Sequence, residues 1–300
     1  MSRVTTSLRW VVALPLCAVV AALGTTVAQT PSPGRLLVLL RDASALAIVD
    51  PESGTVLSRV PTGRDPHEVT ASADGRLAFV ASMVDGISVI DLAAREEIHR
   101  VDPGPGSQTH DVLFAGDKVY FTIEGYKSIG RYDPETNEID WTLGIGQEGT
   151  HLLVLDQDRD RMFMPNTRSN TVTMVEGITA GPARATLTNI PVPGDTPEGI
   201  DLSPDGREIW TATRSDGGVS IIDVATRRVI ETLDLGLRDA NRLKFTPDGR
   251  VLIIDGEAAS LVVMEAASRR VIKRVSLGST DTGDGAVLVA PDGSRAYLGL

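Results

Sequence analysis

The chain has 300 residues, with 29 lysines and arginines against 40 aspartates and glutamates, which gives a formal net charge of −11 at pH 7. A chain this acidic repels phosphate backbones, so nucleic acid is a disfavoured partner. The single cysteine, Cys17, lies in the N-terminal leader, so the mature chain has no means of forming a disulfide, a thiol redox motif or a covalent c-type haem site.

Residues 1–28 have the pattern of a signal peptide. Arg3 and Arg9 form a basic start without acids, and an apolar run of about 15 residues leads to small residues before Gln29. That run is short for a membrane span. We therefore predict export to the periplasm or the medium and a mature domain of residues 29–300, with a retained membrane anchor as the alternative. Loss of the two leader arginines takes the formal charge to −13.

A turn phrase containing Asp-Gly recurs along the chain. Clear copies are ADGR at 73–76, PDGR at 204–207 and 247–250, and PDGS at 291–294, and weaker copies fill the intervals. The marker positions of all copies are 33, 74, 117, 158, 205, 248 and 292. A period near 43 residues is the length of a four-stranded propeller blade.

Each repeat contains four short segments that alternate or are continuously apolar. Examples are DVLFA for the first strand of a blade, RLAFVAS for the second, ISVID for the third and EEIHRVDPG for the fourth. Short β-branched strands bounded by Gly, Pro and Asp indicate antiparallel sheets, and radial repetition of such sheets is a β-propeller. We count six first, seven second, six third and six fourth strands. This count favours an all-β, seven-bladed propeller of four-stranded antiparallel blades whose last blade is incomplete. A closed six-bladed ring is the alternative.

The segments PDGR, VSIIDVATRRVIETLDLG and TPEGIDLSPDG resemble the YVTN-type propeller repeat, and the resemblance extends over nearly the whole mature chain. It implies a β-propeller of a kind found in exported bacterial and archaeal proteins and akin to the lactonase-like propellers. It implies no single activity, because binding proteins, cell-surface proteins and some enzymes share this repeat.

Acidic residues end the third strand of six repeats. Because they recur in every unit and precede a turn, we predict that their carboxylates bond to backbone N–H groups of that turn and belong to the scaffold. These residues are Asp50, Asp91, Asp133, Glu176, Asp223 and Glu265.

Three of the four histidines share one position of the repeat, which we call the entry slot. It lies seven residues before the marker and holds His67, His110 and His151, then Glu198 and Asn241 in the following repeats. At this point the chain enters the innermost strand of a blade, so the slot residues should surround the mouth of the central channel. We predict that these five residues are ligands for a small molecule or a divalent metal.

Charged residues in the loops that reach the same face are candidates for supporting roles, since loops on a rigid scaffold often carry function. Our candidates are Glu68, Asp111, Glu148, Asp284, Arg41, Arg168 and Arg214. The same loops carry Glu124, Tyr126 and Lys127. The fourth histidine, His99, lies in an outer strand and belongs to no such set.

Three functions are compatible with these features. The first is an exported binding protein that uses the channel mouth for a small ligand, an ion or a protein partner. The second is a metal-dependent hydrolase of lactonase type, in which the three slot histidines, with or without Glu198, hold the metal and Glu68, Asp111 or Glu148 acts as base. The third, non-covalent binding of a d-type haem through one axial histidine, is implied by similarity to the propellers of haem nitrite reductases. No nucleophile motif or phosphate loop is present, which favours the first.

Overall fold

The computed structural model of the protein describes residues 34–278 and 285–299. Residues 35–300 form one compact unit, and the other unit, residues 1–34, has only its last residue described. The predicted signal peptide and Asp284 therefore lie outside the described residues. Within the described ranges, no helix has the length and apolar character needed to span a bilayer.

The described chain forms 25 strands in seven antiparallel sheets, which we number as blades 1 to 7. Blade 1 contains β1 (Leu36–Leu40), β2 (Ala45–Val49) and β3 (Val56–Pro61). Blade 2 contains β4 (Pro66–Ala71), β5 (Leu77–Ser82), β6 (Gly86–Asp91) and β7 (Glu96–Val101). Blade 3 contains β8 (Thr109–Ala115), β9 (Lys118–Ile123), β10 (Ser128–Asp133) and β11 (Glu138–Gly144).

Blade 4 contains β12 (Val154–Asp156), β13 (Arg161–Asn166), β14 (Thr171–Glu176) and β15 (Thr186–Pro191). Blade 5 contains β16 (Pro197–Leu202), β17 (Glu208–Thr213), β18 (Gly218–Asp223) and β19 (Arg228–Asp234). Blade 6 contains β20 (Ala240–Phe245), β21 (Arg250–Asp255), β22 (Ser260–Glu265) and β23 (Arg270–Ser276), and blade 7 contains β24 (Ala286–Val289) and β25 (Ala296–Gly299). Two single-turn 3-10 helices, Glu124–Tyr126 and Gln157–Arg159, lie within blades 3 and 4.

The predicted seven-bladed propeller with an incomplete last blade is confirmed, and so is the strand count. Blades 2 to 6 each have four strands paired in sequence order, while blades 1 and 7 have three and two described strands. The first strands of neighbouring blades lie against each other, as in β4 against β8 and β16 against β20. These first strands are therefore the innermost and surround the channel.

The apolar core lies between blades, because consecutive sheets bury their facing surfaces against each other. Six clusters of buried side chains each join one pair of neighbouring blades. Phe79 of blade 2 packs with Phe121 and Tyr132 of blade 3. Trp210 of blade 5 meets Phe245 of blade 6 edge-on, with ring centroids 5.6 Å apart. Blade-to-blade burial is thus the main source of stability.

Polar contacts supplement this packing. Asp111 in blade 3 accepts a hydrogen bond from the backbone N–H of Leu153 in blade 4, at 2.5 Å. Arg295 of blade 7 pairs with Glu52 of blade 1, with 2.7 Å between Nη1 and Oε1. This exposed ion pair links the last described blade to the first.

The four aspartates that end third strands have the scaffold role predicted for them, whereas the two glutamates do not: Glu176 accepts from Arg227 and Glu265 from the hydroxyl of Ser268. Asp50 Oδ1 accepts hydrogen bonds from the backbone N–H groups of Glu52 and Ser53, at 2.9 and 3.0 Å. Asp91 and Asp223 accept equivalent bonds in blades 2 and 5. Their recurrence in the sequence therefore reflects turn formation.

Replacement of Phe121 by alanine should remove a packing element shared by two blades. Its ring is fully buried and lies directly over Gly130, where an added Cβ would come within 2.3 Å of Cζ. We expect a loss of about 3–5 kcal/mol in the free energy of unfolding, measured by urea denaturation. Val84→Ala, at a position 53% exposed, is the control and should cost less than about 0.5 kcal/mol. Equal losses in the two variants would contradict this account of the core.

Candidate functional site

The entry slot coincides with a β-bulge in the innermost strand. In β4, Pro66 pairs with Ser82 and Glu68 pairs with Ala81, which leaves His67 as the extra residue. β16 and β20 have the same one-residue shift, at Glu198 and Asn241. A bulge changes the direction of a side chain relative to the one it would have in a regularly paired strand.

Blades 3 and 4 repeat this irregularity in a broader form. In blade 3, pairing slips between Thr109 and Val112, so His110 lies inside the shift. In blade 4, His151 lies between an isolated bridge at Thr150 and the start of β12 at Val154. All five slot residues thus leave the regular ladder at the same point of their blades.

A left-handed backbone turn precedes the slot in four blades. Two residues before the slot, φ is positive at Asp65 (57°), Gln108 (51°), Gly149 (68°) and Thr196 (61°). Non-glycine residues seldom adopt this region, and such strain is often found next to functional sites. In these four blades the chain therefore enters the slot through the same kind of turn.

The structure brings the three slot histidines together. The ring centroids of His67 and His110 lie 4.6 Å apart at an interplanar angle of 60°. Those of His110 and His151 lie 3.7 Å apart at 38°. His110 and His151 are only 5% and 9% exposed. Three consecutive blades therefore supply one buried imidazole cluster.

Glu124 completes this cluster from the loop between β9 and β10. Among the described residues, one ligand atom each of His110, His151 and Glu124 lies within 4.8 Å of the others, a grouping that could hold a metal ion. We call these three residues the His–Glu–His group. Two imidazole nitrogens and a carboxylate oxygen form a donor set suited to a divalent transition metal.

Backbone pairing holds Glu124 in this position. Its N–H donates to the carbonyl of Gln108 at 3.1 Å, and the N–H of Gly125 donates to the carbonyl of Ser107 at 2.9 Å. A Cβ on residue 125 would lie 1.9 Å from the carbonyl oxygen of Gly106. Only glycine permits this close approach, so Gly125 allows the loop to bring Glu124 under the histidines.

Burial alters the protonation of the group. Burial raises the pKa of Glu124 to about 6, against the opposing charge of Arg168, whose Nη2 lies 3.5 Å from Oε2. Burial, and then the positive charge of Arg242, hold the pKa of His151 well below its usual value. His151 is therefore a neutral imidazole at neutral pH, and its Nδ1 is buried with no hydrogen-bond partner among the described residues.

His67 lies at the edge of the group. Its Nδ1 is 2.9 Å from the carbonyl oxygen of Asp65, which only accepts, so Nδ1 is the donor of this hydrogen bond. The carboxylate of Asp65 in turn accepts from Arg41 Nε at 2.6 Å. The sequence-predicted Arg41 therefore contacts the loop that holds His67.

Arginines and acids form a second network across the channel. Arg242, on the innermost strand of blade 6, donates to Glu198 Oε1 at 2.5 Å, and its Nη2 lies 3.5 Å from Glu68 Oε1 in blade 2. Arg214 binds Glu198 Oε2 at 3.1 Å and Asp239 Oδ1 at 2.8 Å. Glu198 is thus held between two guanidinium groups.

This network separates two of the predicted ligands from the histidines. Glu198 lies outside the His–Glu–His group. The backbone carbonyl of Asn241 accepts a hydrogen bond from Arg242 Nη1 at 2.9 Å. Burial raises the pKa of Glu68, and the positive charge of Arg242 opposes that rise.

The remaining acidic candidates have other partners. Both carboxylate oxygens of Asp111 accept backbone N–H bonds, from Val112 at 2.6 Å and from Leu153 at 2.5 Å. Burial, followed by the charge of Glu68, raises the pKa of Asp111 to about 7. Glu148 pairs with Lys127 at 2.6 Å, and both side chains are about half exposed (53% and 48%).

Arg242 was not among the sequence-predicted residues, although a signal for it exists. It follows the slot by one position, as Glu68 and Asp111 do in blades 2 and 3. A basic residue at a position that is acidic in other blades predicts an ion pair across the ring. Glu124 was included among the loop residues, but its grouping with the histidines depends on the conformation of the loop.

Comparisons with known proteins agree with the fold. The sequence profile of a family described as the cytochrome D1 heme domain matches residues 34–139. A solved structure of hydrazine synthase from Kuenenia stuttgartiensis superposes with a TM-score of 0.75 over 92% of this chain and 95% of that chain, at 15% identity. At that identity the likeness shows the propeller fold alone.

A comparison with curated protein sequences found no match. The YVTN-type assignment stays a prediction.

The contacts among the histidines do not favour a haem between them. An axial ligand must present a ring nitrogen to a flat space that accepts the macrocycle. His110 and His151 instead lie ring against ring at 3.7 Å, a contact distance, and His67 packs edge-on against His110. No macrocycle fits between rings at that distance. We derive no role for a haem in this protein.

The buried carboxyl of Glu124 should make folding stability depend on pH. Its folded pKa of about 6 exceeds the usual 4.5, so its contribution to stability is full below pH 4.5 and is lost as the pH rises through 6. Because one pKa unit is worth about 1.4 kcal/mol, wild type should lose about 2 kcal/mol more than Glu124→Gln between about pH 4 and pH 7.5. Urea denaturation in a chelator measures this difference. Parallel pH profiles for the two proteins would contradict it.

Proposed function

We propose that the protein binds one divalent transition-metal ion at the mouth of its channel, through His110, His151 and Glu124. The observation that carries this proposal is the convergence of three buried donor groups within 4.8 Å of one another. The buried Nδ1 of His151 supports it, because a buried polar atom without a partner costs about 1–3 kcal/mol and a metal would supply the partner.

The donor set limits which metal the site would take. Imidazole and carboxylate ligands suit Zn²⁺, Co²⁺, Ni²⁺ and Cu²⁺, at bond lengths of about 2.0–2.2 Å. The depressed pKa of His151 keeps this ligand unprotonated at neutral pH, as metal binding requires. Small rotamer changes of the three side chains would bring the donor atoms to these distances.

A binding role is better supported than hydrolysis. A lactonase-type mechanism needs a free carboxylate base beside the metal, and the three proposed bases are engaged elsewhere. Asp111 accepts two backbone N–H bonds, Glu148 pairs with Lys127 on the surface, and Glu68 lies against Arg242. We therefore favour an exported metal-binding propeller.

The sequence supports a compartment and a class of partner for this proposed function. The leader pattern of residues 1–28 supports a role in the periplasm or outside the cell. The mature charge of −13 argues against nucleic acid and favours cations or small ligands at the channel mouth. A protein partner at this face is the other partner we consider.

Loss of a ligand from the His–Glu–His group should abolish tight metal binding. Because loss of an outer hydrogen-bond partner already costs 10–100-fold in metal affinity, we expect His110→Ala and His151→Ala each to cost about 100-fold or more. Glu124→Gln should cost about tenfold or more. Calorimetric titration of the chelator-treated protein with Zn²⁺ measures these affinities, and wild type should bind one ion per chain.

His99→Ala is the matched control, because His99 is the fourth histidine and lies on the outer strand β7. It should bind Zn²⁺ like wild type, and His67→Ala should give an intermediate loss. If wild type binds no Zn²⁺, or if His110→Ala and His99→Ala bind it equally, the proposed function is wrong.

A further inference from the structure

We infer that the metal-loaded site binds a small oxyanion, a carboxylate or a phosphate, between the metal and the guanidinium of Arg168. This inference rests on the proposed metal site and names the class of ligand that it takes. It is carried by the position of Arg168, by the charge of the site and by the vacant coordination position that three protein ligands leave.

Arg168 lies at the open edge of the His–Glu–His group. It belongs to the loop between β13 and β14, and its Nη2 is 3.5 Å from Glu124 Oε2. Its side chain is 57% exposed, whereas that of Glu124 is 7% exposed. One end of the guanidinium therefore faces the buried group while the rest faces solvent, from which a ligand would arrive.

The other two arginines of the site are already occupied by protein acids. Arg214 donates to Glu198 and Asp239, and Arg242 lies between Glu198 and Glu68. Within the described ranges, the ion pair of Arg168 is with Glu124, at the comparatively long distance of 3.5 Å. A guanidinium has five N–H donors, so Arg168 keeps donors to offer to an incoming anion.

The charge of the metal-loaded site favours an anion. The two histidines are neutral ligands, so Glu124 would be the only negative ligand of a doubly charged ion. Arg168 adds a further positive charge beside the same carboxylate. Uncompensated positive charge in a buried site is costly, and a bound anion removes it.

A two-oxygen anion matches this geometry. A metal bound to Glu124 at about 2.1 Å would lie roughly 4–6 Å from the nearest guanidinium nitrogen of Arg168. A carboxylate or phosphate oxygen could ligate the metal while a neighbouring oxygen accepts from Arg168 at about 2.8 Å. A monatomic anion such as chloride could reach the metal but would not bridge to the arginine.

The test follows the visible absorption of Co²⁺-loaded protein during titration with acetate, phosphate and chloride. Acetate or phosphate should change the Co²⁺ spectrum saturably, and Arg168→Gln should weaken that binding about tenfold or more, the range for loss of a charge-assisted hydrogen bond. Chloride should bind more weakly and be insensitive to the substitution. Whichever of acetate and phosphate binds more tightly identifies the class of oxyanion that the site takes.

Arg159→Gln is the matched control, because Arg159 is similarly exposed (52%) and lies in the hairpin between β12 and β13 rather than at the group. It should bind the anions like wild type. Equal anion affinities for Arg168→Gln and Arg159→Gln, or no spectral response to either oxyanion in Co²⁺-loaded wild type, would overturn the inference and leave the metal site standing. If wild type takes up no Co²⁺, the proposed function fails and this inference fails with it.

Discussion

The fold depends on one constraint: the apolar faces of each blade must be buried against neighbouring blades. The six buried clusters each join two consecutive blades, and Arg295 and Glu52 join the last blade to the first. Because the ring repeats one geometry, equivalent residues of successive blades reach the channel at equivalent positions. A bulge at the entry slot then turns those residues inward.

Ring closure explains how distant parts of the chain meet at the site. Arg242 and Glu68 are 174 positions apart in sequence, yet they lie across the channel from each other. Their network with Glu198 fills one part of the mouth with ion pairs, and the three imidazoles of the slot fill another. Burial and the arginine charges act in the same direction on His151, which keeps it unprotonated. The two parts of the mouth are thus electrostatically coupled.

The fold could be predicted almost completely from the sequence, because the spacing of the repeats gives the blade boundaries directly. The Asp-Gly markers locate the hairpins, and the apolar segments between them locate 25 strands. The shared slot of His67, His110 and His151 could also be read from spacing alone. That their rings touch could not, because this depends on the bulges and on the left-handed turns before them.

Glu124, the proposed metal ligand that lies outside the entry slot, was harder to predict from the sequence. Glu124 follows β9 in sequence, and only the close contact of Gly125 with the Gly106 carbonyl brings its carboxylate under the histidines. Glu198 occupies the slot as the histidines do, but Arg214 and Arg242 bind its carboxylate. Position in the repeat therefore predicts which residues reach the channel, and local charge partners decide which of them can bind a ligand.

X-ray absorption spectroscopy at the zinc K-edge tests the central claim most directly, because it reports which atoms surround the bound ion. For stoichiometrically loaded protein, the account predicts a first shell of nitrogen and oxygen at about 2.0–2.1 Å with outer-shell scattering from two imidazole rings. A shell of oxygen alone, without imidazole scattering, would place the ion on surface carboxylates and contradict the account.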